Sequence, residues 1–384
     1  MFKICLFNNF KKNSFIKNGN KCLDRGKYDK AIEYFDHGLK IDPENSILWN
    51  NRGVALENLG NKKEAFKAYD KASKLDPKHF RSRQNKGVIL YNNEKYENAL
   101  DCFNKVITIN PEYVDAWYSK GFVLGKINKY TKAIECLDKT LELDPHYIDA
   151  WNLKGEILGS IKKHQEAIEC LDKALELDPK NAEVWYNKGL MLGALEKHQE
   201  AIKCFDKVLT IDPKFIGALH GKGLAFVGLR EHHEAIKCFN KVLKINPKNA
   251  ESWHLKGFSL KELGRYEEAL KCFDKSIEIY DFMASKSKIS NALKINSNDF
   301  TVWCNKGHTL EKLGKYQEAV KCIDKSIVLY PENIYAFYKK GSILTKLGKY
   351  QKAIECFDNA LKIDPKHEPS LKAKKEILGS KKIK

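Results

Sequence analysis

The sequence predicts an all-α solenoid, an array of about ten copies of one helix hairpin. Nine of the ten prolines, from Pro43 to Pro365, fall in one 34-residue register. All six tryptophans share a second column of that register, and glycine fills a third. Self-similarity at a period of about 20–50 residues is typical of stacked repeats, each of which buries its apolar side against its neighbours.

Ten repeats fit this register with one interruption. Eight repeats cover 12–283 and two cover 300–367, while the 16 residues at 284–299 are out of register. We expect an extended or extra helix at 284–299, which would split the array into eight repeats and two. Residues 1–11 are expected to form an irregular lead-in or cap, and 368–384 a capping helix with a Lys-rich tail.

Within each repeat the apolar residues form two helical blocks. Counted from the first residue of a repeat, they recur at positions 4, 8 and 11 and again at 20, 21, 24 and 28, which follows the helical period. Position 8 is Gly and position 20 is Ala in all ten repeats, which indicates that two helix backbones cross closely there. Gly or a polar residue at position 15 marks the turn, and Asp-Pro at positions 31–32 ends the second helix.

This pattern resembles the tetratricopeptide repeat. The fifth repeat shows the signature most completely, with Trp151, Gly155, Ala167, Ala174 and Pro179 at the matching positions. The resemblance covers about nine-tenths of the chain. It implies a right-handed superhelix whose first helices line a concave groove, and in this family the groove binds extended peptides or helices.

The resemblance also implies that positions 2, 5, 9, 12 and 13 face the groove, where residue types are free to encode function. Read along repeats four to eight, these positions form a strip that is aromatic and apolar in its middle. Exposed aromatic residues on a concave wall are typical of a protein-binding surface. The candidate ligand-binding residues are Tyr118, Phe122, Asn152, Glu156, Tyr186, Leu190, His220, Leu224, His254 and Phe258.

We therefore predict a non-enzymatic scaffold or adaptor that binds a peptide or helix of a partner protein. The sequence contains no nucleophile elbow, no phosphate-binding Gly loop and no His-x-x-x-His pair, so we expect no catalytic residues, no metal and no cofactor. The ten repeats leave 44 of the 384 residues outside them, which is too few for a catalytic domain. Self-association remains open.

Nucleic acid or an anionic surface is the first alternative partner, because the formal net charge is +18. Only six of the 68 basic residues are Arg, although phosphate and base recognition favour the planar Arg fork. Lysines are interleaved with acids in every repeat, and acids at position 2 make the predicted groove non-basic. We therefore expect a solvated Lys-rich surface rather than a nucleic-acid site.

A chaperone co-factor is the second alternative. Some proteins of this family grip the C-terminal carboxylate of chaperones through Lys and Asn residues of three consecutive repeats. In repeats one to three, Asn20, Asn51 and Arg81 match such a carboxylate clamp. The match is partial, because Ile16 stands where Lys is expected and Asn85 where a basic residue is expected.

Three further columns have structural explanations. Lys at position 7 in eight repeats predicts a buried alkyl stem whose ammonium reaches an acid of the neighbouring repeat, and a basic ladder facing a ligand is the alternative. Eight Cys at position 23 are predicted to be small, semi-buried side chains, because neighbouring helices stand about 8–10 Å apart, too far for disulfides or zinc. His164, His198 and His232 replace Tyr at position 17.

The expected compartment is the cytoplasm. Free thiols imply a reducing environment, and no stretch approaches the roughly 18 apolar residues of a membrane span. The segment 1–11 has no small-residue cleavage site, so we expect no signal peptide.

Overall fold

The computed structural model describes residues 2–286 and 299–381, with side chains for 11–285 and 300–379. These residues contain only helices, turns and short loops. The chain forms two compact bodies, an N-terminal body (1–179) and a C-terminal body (180–384). The helices of the N-terminal body are α1 (Phe2–Leu23), α2 (Tyr28–Ile41), α3 (Ser46–Asn58), α4 (Lys62–Leu75), α5 (Phe80–Asn92), α6 (Tyr96–Ile109), α7 (Val114–Lys126), α8 (Tyr130–Leu143), α9 (Ile148–Ser160) and α10 (His164–Leu177). Those of the C-terminal body are α11 (Ala182–Ala194), α12 (His198–Ile211), α13 (Ile216–Gly228), α14 (His232–Ile245), α15 (Ala250–Glu262), α16 (Tyr266–Lys286), α17 (Asp299–Lys312), α18 (Tyr316–Leu329), α19 (Ile334–Lys346), α20 (Tyr350–Ile363) and α21 (Glu368–Lys381).

The helices pair in the order that the register predicts. Each odd-numbered helix from α1 to α19 packs against the helix that follows it, and within each body each hairpin packs against the next. This confirms an all-α array of about ten helix hairpins. Helix α1 begins at Phe2, so residues 2–11 are helical rather than irregular, and their expected capping role stays a prediction. The reason is that no Gly or Pro precedes Gly19, so nothing in these residues breaks a helix.

The small residues stand where the two helices of each hairpin cross. A Cβ atom on Gly87 would lie 2.6 Å from the ring of Phe103, at position 24. A Cβ atom on Gly155 would lie 2.8 Å from the side chain of Leu171 and 3.2 Å from the carbonyl oxygen of Ala167. The large side chain at position 24 therefore fills the space that a side chain at position 8 would need.

The turn inside each hairpin uses a left-handed residue at position 15. Five repeats place glycine there, with φ between +67° and +80°: Gly26, Gly60, Gly264, Gly314 and Gly348. The other five place a side chain there, with φ between +58° and +63°: Glu94, Asn128, Lys162, Glu196 and Arg230. A non-glycine residue in this conformation costs about 1–2 kcal/mol, so half of the turns carry strain that the packing of the hairpin offsets.

The tryptophan column ties a repeat to the loop before it. The indole N–H of Trp117 donates to the carbonyl oxygen of Pro111 at 2.8 Å. The same bond recurs at Trp49–Pro43, Trp151–Pro145 and Trp253–Pro247. In these four repeats the proline and tryptophan columns share one register because the indole closes the proline turn in front of it.

The lysine column joins neighbouring repeats. The Nζ atom of Lys86 lies 2.6 Å from Oδ1 of Asp70, at position 25 of the preceding repeat. Equivalent ion pairs are Arg52–Asp36, Lys154–Asp138, Lys222–Asp206, Lys306–Asp274 and Lys340–Asp324. The prediction of a neighbouring acid is confirmed for these repeats, because their position-7 charges are neutralised within the array rather than presented to a ligand.

The packing register continues across the insertion. Helix α16 extends to Lys286, which makes it 21 residues long where the other second helices have 14, and 287–298 lie outside the described residues. Helix α17 packs on both α15 and α16, and Lys306 pairs with Asp274 as its equivalents do. Most of 284–299 lies outside the described residues, so the expected extra helix and the division into eight repeats and two stay predictions.

Helix α21 occupies the place of the predicted capping helix and keeps the register. Lys374 pairs with Asp358 at 2.5 Å, as Lys340 pairs with Asp324 at 2.6 Å. Ile377 is buried against the core of the preceding hairpin. Helix α21 thus covers the last hairpin as the first helix of a further repeat would.

The cysteine column is buried and unlinked. All eight position-23 cysteines are free and buried, and burial raises the pKa of Cys170 to about 11. In the part of the chain that the structure describes, no group of three or more His, Cys, Asp or Glu side chains could hold a metal ion. No helix among those residues combines the length and the apolar character needed to cross a bilayer.

Candidate functional site

The ten candidate residues all lie on first helices. In the N-terminal body, Tyr118 and Phe122 are on α7, whereas Asn152 and Glu156 are on α9, where Asn152 Nδ2 donates to Glu156 Oε1 at 3.3 Å. The candidates of the C-terminal body are Tyr186 and Leu190 on α11, His220 and Leu224 on α13, and His254 and Phe258 on α15.

A pocket opens between α5 and α7 in the N-terminal body, and we name it the aromatic pocket. Its volume is about 220 Å³. Its lining residues are Val88, Tyr91, Asn92, Phe103, Tyr118, Ser119, Phe122 and Val123. The pocket therefore unites Tyr118 and Phe122 with side chains of the preceding repeat.

Ring contacts hold the shape of the aromatic pocket. The ring of Phe122 meets that of Tyr91 edge-on, with centroids 5.2 Å apart, and lies 6.2 Å from that of Tyr118. Tyr118 packs in turn against Tyr147 at 4.9 Å. The ammonium of Lys126 lies 5.5 Å from the centre of the Phe122 ring. Because these rings support one another, the apolar wall exists before any ligand arrives, which lowers the ordering cost of binding.

Polar groups border one side of the aromatic pocket. Gln84 Nε2 donates to Ser119 Oγ at 2.8 Å and to the carbonyl oxygen of Asp115 at 3.3 Å. Gln84 is buried, and its Oε1 has no hydrogen-bond partner among the described residues. Because the Ser119 oxygen accepts from Gln84, its hydroxyl hydrogen is left to donate to another group.

The groove positions of repeats four to eight predict two lining residues of the aromatic pocket, Tyr118 and Phe122, and none of the others. Tyr91 and Asn92 stand at positions 12 and 13 of repeat three, and Val88 at position 9. These are groove positions, but the predicted strip covers only repeats four to eight. Extending that rule by one repeat would have found all three, whereas Ser119 at position 6 carries no such signal.

Some candidates of the C-terminal body are packed and others are open. Tyr186 contacts the rings of Phe205 at 6.1 Å and Phe215 at 5.1 Å, and burial raises the pKa of Tyr186. Leu190 is 38% exposed and Leu224 is 41% exposed. The two leucines therefore present apolar surface, while Tyr186 is largely engaged by its neighbours.

The two candidate histidines are held by the next repeat. His220 Nδ1 lies 3.1 Å from Ser252 Oγ, and its Nε2 lies 3.6 Å from Glu251 Oε1. His254 Nε2 accepts from Asn305 Nδ2 at 2.9 Å. Burial lowers the pKa of His254 to about 4. At neutral pH His254 is therefore an uncharged ring that orients the Asn305 amide.

A polar cluster that the sequence analysis did not identify as a unit lies on α15, α17 and α19. Its members are Lys261, Asn305, His308, Glu311 and Lys339. The amide of Asn305 connects α17 to α15: its Nδ2 donates to His254, and its Oδ1 accepts from Lys261 Nζ at 3.3 Å. Most of the cluster falls in repeats nine and ten, beyond the groove strip predicted for repeats four to eight.

The carboxylate-clamp residues lie on α1, α3 and α5 of the N-terminal body. Asn51 Nδ2 donates to Asn20 Oδ1 at 2.8 Å, and Arg81 is exposed. Ile16 packs against the core cluster that contains Phe35. Two of the three matching residues thus bind one another, and the place of the missing lysine is filled by apolar packing.

Comparison with known proteins returns one family description, the tetratricopeptide repeat. Its models match residues 19–80, 81–113, 114–147, 148–181, 182–215, 216–249, 238–271, 300–333 and 334–367. Among curated relatives, the Hsp70-Hsp90 organising protein of Plasmodium falciparum is 40% identical over 47 residues, which is 12% of this chain and 19% of that protein. The same protein of isolate 3D7 is also 40% identical over 47 residues, 8% of its length. The match therefore spans a fifth or less of these relatives.

Two solved structures illustrate what this chain is similar to. The Pseudomonas aeruginosa protein pilF is 21% identical, with a TM-score of 0.51 over 55% of this chain and 96% of that one. YrrB, described as a TPR protein with an unusual peptide-binding site, is 28% identical, with a TM-score of 0.43 over 49% of this chain and 97% of that one. One repeat model alone matches six separate stretches that make up more than half of the sequence, so the chain belongs to the tetratricopeptide repeat family.

Proposed function

We propose that this protein is an interaction scaffold that captures an extended or helical segment of a partner protein on the first-helix faces of its repeats. The observation that carries the proposal is the aromatic pocket, in which Tyr91, Tyr118 and Phe122 present ring surface to solvent on one such face. Aromatic anchors in preformed pockets supply much of the binding energy of protein interfaces.

The aromatic pocket suits one large apolar side chain of the partner. Its volume of about 220 Å³ is below the range of about 300–1,000 Å³ that is usual for small-molecule sites. Burying one Leu or Phe side chain contributes about 1.5–3 kcal/mol. The Ser119 hydroxyl at the pocket wall can hydrogen-bond the main chain next to that anchor.

The other candidate residues are proposed as supporting contacts. Leu190 and Leu224 favour this role, because both expose apolar surface on first helices of the C-terminal body. Asn152 and Glu156 would contribute polar contacts in the N-terminal body. The remaining proposed contacts are Tyr186, His220, His254 and Phe258.

The test compares full-length wild type with the double variant Tyr118→Ala, Phe122→Ala in quantitative affinity capture from native lysate. We expect partners that use the aromatic pocket to fall by about tenfold or more, the usual effect of removing an anchor. Tyr350→Ala is the matched control, because it removes an exposed tyrosine from the second helix α20. Equal capture by all three proteins, with unchanged helical circular dichroism, would contradict the proposal.

A chaperone co-factor role is the second candidate. It is supported by the short match to the Hsp70-Hsp90 organising protein and by the paired amides of Asn20 and Asn51. A peptide that ends in a free acidic carboxylate should then bind more tightly than its C-terminal amide, and Arg81→Gln should remove the difference. Equal binding of the two peptides would rule this role out.

The cellular compartment and the competing partner classes are also part of the proposal. The free, buried cysteine column supports a reducing compartment, for which we propose the cytoplasm. A nucleic-acid partner is the competing outcome, and a titration against salt separates it, because phosphate binding weakens steeply as salt rises. Sedimentation of the purified chain would decide whether it self-associates.

A further inference from the structure

Lys261 is a buried cation on the first helix of repeat eight. Only 8% of the residue is exposed. Its ammonium donates to Asn305 Oδ1 at 3.3 Å, pairs with Glu262 Oε1 at 3.0 Å and lies 4.4 Å from the centre of the Phe258 ring. A buried charge is retained only when polar partners surround it, and here they also fix the direction of the ammonium.

Positive charge is in excess beside this group. Lys339 on α19 is half-buried, and neither it nor Lys312 forms an ion pair with any described residue. Burial lowers the pKa of Lys339, the Glu311 carboxylate opposes this change, and Lys312 adds to it. The ring of His308 lies close enough to both Lys339 and Lys261 to be affected by their charges. Burial first, and then these two lysines, lower the pKa of His308 to about 4. An anion placed here would relieve this repulsion.

Glu311 adds an unused acceptor to the same cluster. Only 7% of the residue is exposed. Its Oε1 pairs with Lys346 at 2.6 Å, whereas its Oε2 is buried without a hydrogen-bond partner among the described residues. Buried polar atoms are almost always hydrogen-bonded in folded proteins. An N–H group from a ligand is therefore what this oxygen lacks.

We propose that the α15–α17–α19 face binds an extended, acidic segment of a partner protein. A main-chain N–H of the segment donates to Glu311 Oε2, and an Asp or Glu side chain lies against Lys339 and Lys261. In an extended chain successive residues are only about 3.3 Å apart. A main-chain N–H and a nearby acidic side chain of one segment can therefore reach Glu311 and the two lysines together. The proposal rests on the scaffold function, but it concerns the C-terminal body and none of the residues of the aromatic pocket.

The charges favour an acidic peptide over the other anions. A nucleic-acid backbone would neutralise the lysines, but its phosphates have no N–H to offer Glu311. A free inorganic anion would likewise leave Glu311 Oε2 unpaired. A peptide supplies both the acid and the donor.

The first test measures binding of short synthetic peptides to the full-length protein by fluorescence polarisation. The peptides come from a library with one central Glu on varied neutral backgrounds, each with a twin that has Gln instead. All carry a C-terminal amide, so that no terminal carboxylate contributes. We expect the best Glu peptides to bind about tenfold tighter than their Gln twins, as for a charge pair that is largely desolvated.

Variants assign this preference to the cluster. Lys339→Gln should bring the affinities of the twins to within about twofold. Lys352→Gln is the matched control, since it makes the same change at an exposed position of the second helix in the same repeat. N-methylation of the main chain at each residue around the Glu should identify one position that weakens binding to wild type.

Three results would overturn the proposal: no peptide of the library binds, the twins bind equally, or Lys339→Gln leaves the preference intact. Binding of a single-stranded oligonucleotide that Lys339→Gln abolishes would assign the face to nucleic acid instead. The variant Tyr118→Ala, Phe122→Ala should keep the Glu preference. The experiments therefore distinguish a wrong proposal about the aromatic pocket from a wrong proposal about this site.

Discussion

Lys86 Nζ lies 2.6 Å from Asp70 Oδ1, which ties the first helix of repeat three to the second helix of repeat two. Asp70 also accepts Lys74 at 2.7 Å, and the Lys86 ammonium lies 5.3 Å from the centre of the Phe66 ring. The lysine therefore acts as part of the interface between repeats. This role explains part of the Lys-rich composition, because such lysines form ion pairs between neighbouring repeats.

The ion-pair column has gaps that can be filled. Position 25 is Asn104 in the repeat before Lys120, whose ammonium lies 5.4 Å from the centre of the Trp117 ring. We expect Asn104→Asp to stabilise the array by up to about 1 kcal/mol at low salt, since a partly exposed ion pair contributes little more. Urea unfolding midpoints measure it. The gain should vanish with Lys120→Met, and a gain that persists there would contradict the ion pair.

The glycine column should not tolerate alanine. Gly87→Ala would place a Cβ 2.6 Å from the ring of Phe103, and we expect a loss of about 1–3 kcal/mol from overpacking. Gly193→Ala is the control, because Gly193 is helical and has no atom within 4 Å of a built Cβ. That change should stabilise by about 0.5–1 kcal/mol through helix propensity. Thermal midpoints that move in the same direction for both variants would refute this account.

The strained turns should gain from glycine. Lys162 has φ of +63°, so Lys162→Gly is expected to raise stability by about 1 kcal/mol, which is the left-handed penalty less the entropy cost of glycine. The reverse change, Gly60→Ala at φ of +80°, should lower it by a similar amount. Urea unfolding of the two variants tests this, and a stabilising Gly60→Ala would show that the turn relaxes instead.

Acid should weaken the C-terminal body through His254. Burial lowers the pKa of its ring from 6.5 to about 4, so the folded chain resists a proton that the unfolded chain accepts. The stability that the neutral His254 ring contributes is fully present above about pH 6.5 and is lost as the pH falls towards 4. Between about pH 7 and pH 5, His254→Gln should reduce this loss of stability by about 2 kcal/mol. His233→Gln, at an exposed ring, is the control, and equal pH dependence in all three proteins would exclude His254 as the source.

Much of the fold follows from spacing alone. The hairpin at Ile148–Ser160 and His164–Leu177 can be predicted because Gly155 and Ala167 recur with the period, and a local period specifies local helices. The extent of α1 was less accessible, since 2–11 lie outside the register. A segment with no repeat partner offers only its own helix propensity as a guide.

The candidate sites were less predictable. Tyr118 and Phe122 could be found because the register assigns them to the first-helix face. The partners that make them a pocket are different: Tyr91 is one repeat away, and Ser119 stands at a position with no groove signal. In the C-terminal body, the charge of Lys261 was visible in the sequence, but its burial was not.

The sequence by itself determined the repeat, its two helices, its turn and the columns that join one copy to the next. These features are local or recur with the 34-residue period, so the residue type at a position indicates that position's environment. Only the tertiary structure decided which side chains of neighbouring repeats meet. Whether Glu311 keeps a free oxygen, or His254 a neutral ring, depends on burial and on partners in other helices. Those contacts determine the hydrogen bonding and the protonation state of each group. They join residues from different columns and different repeats, so no single column of the register predicts them.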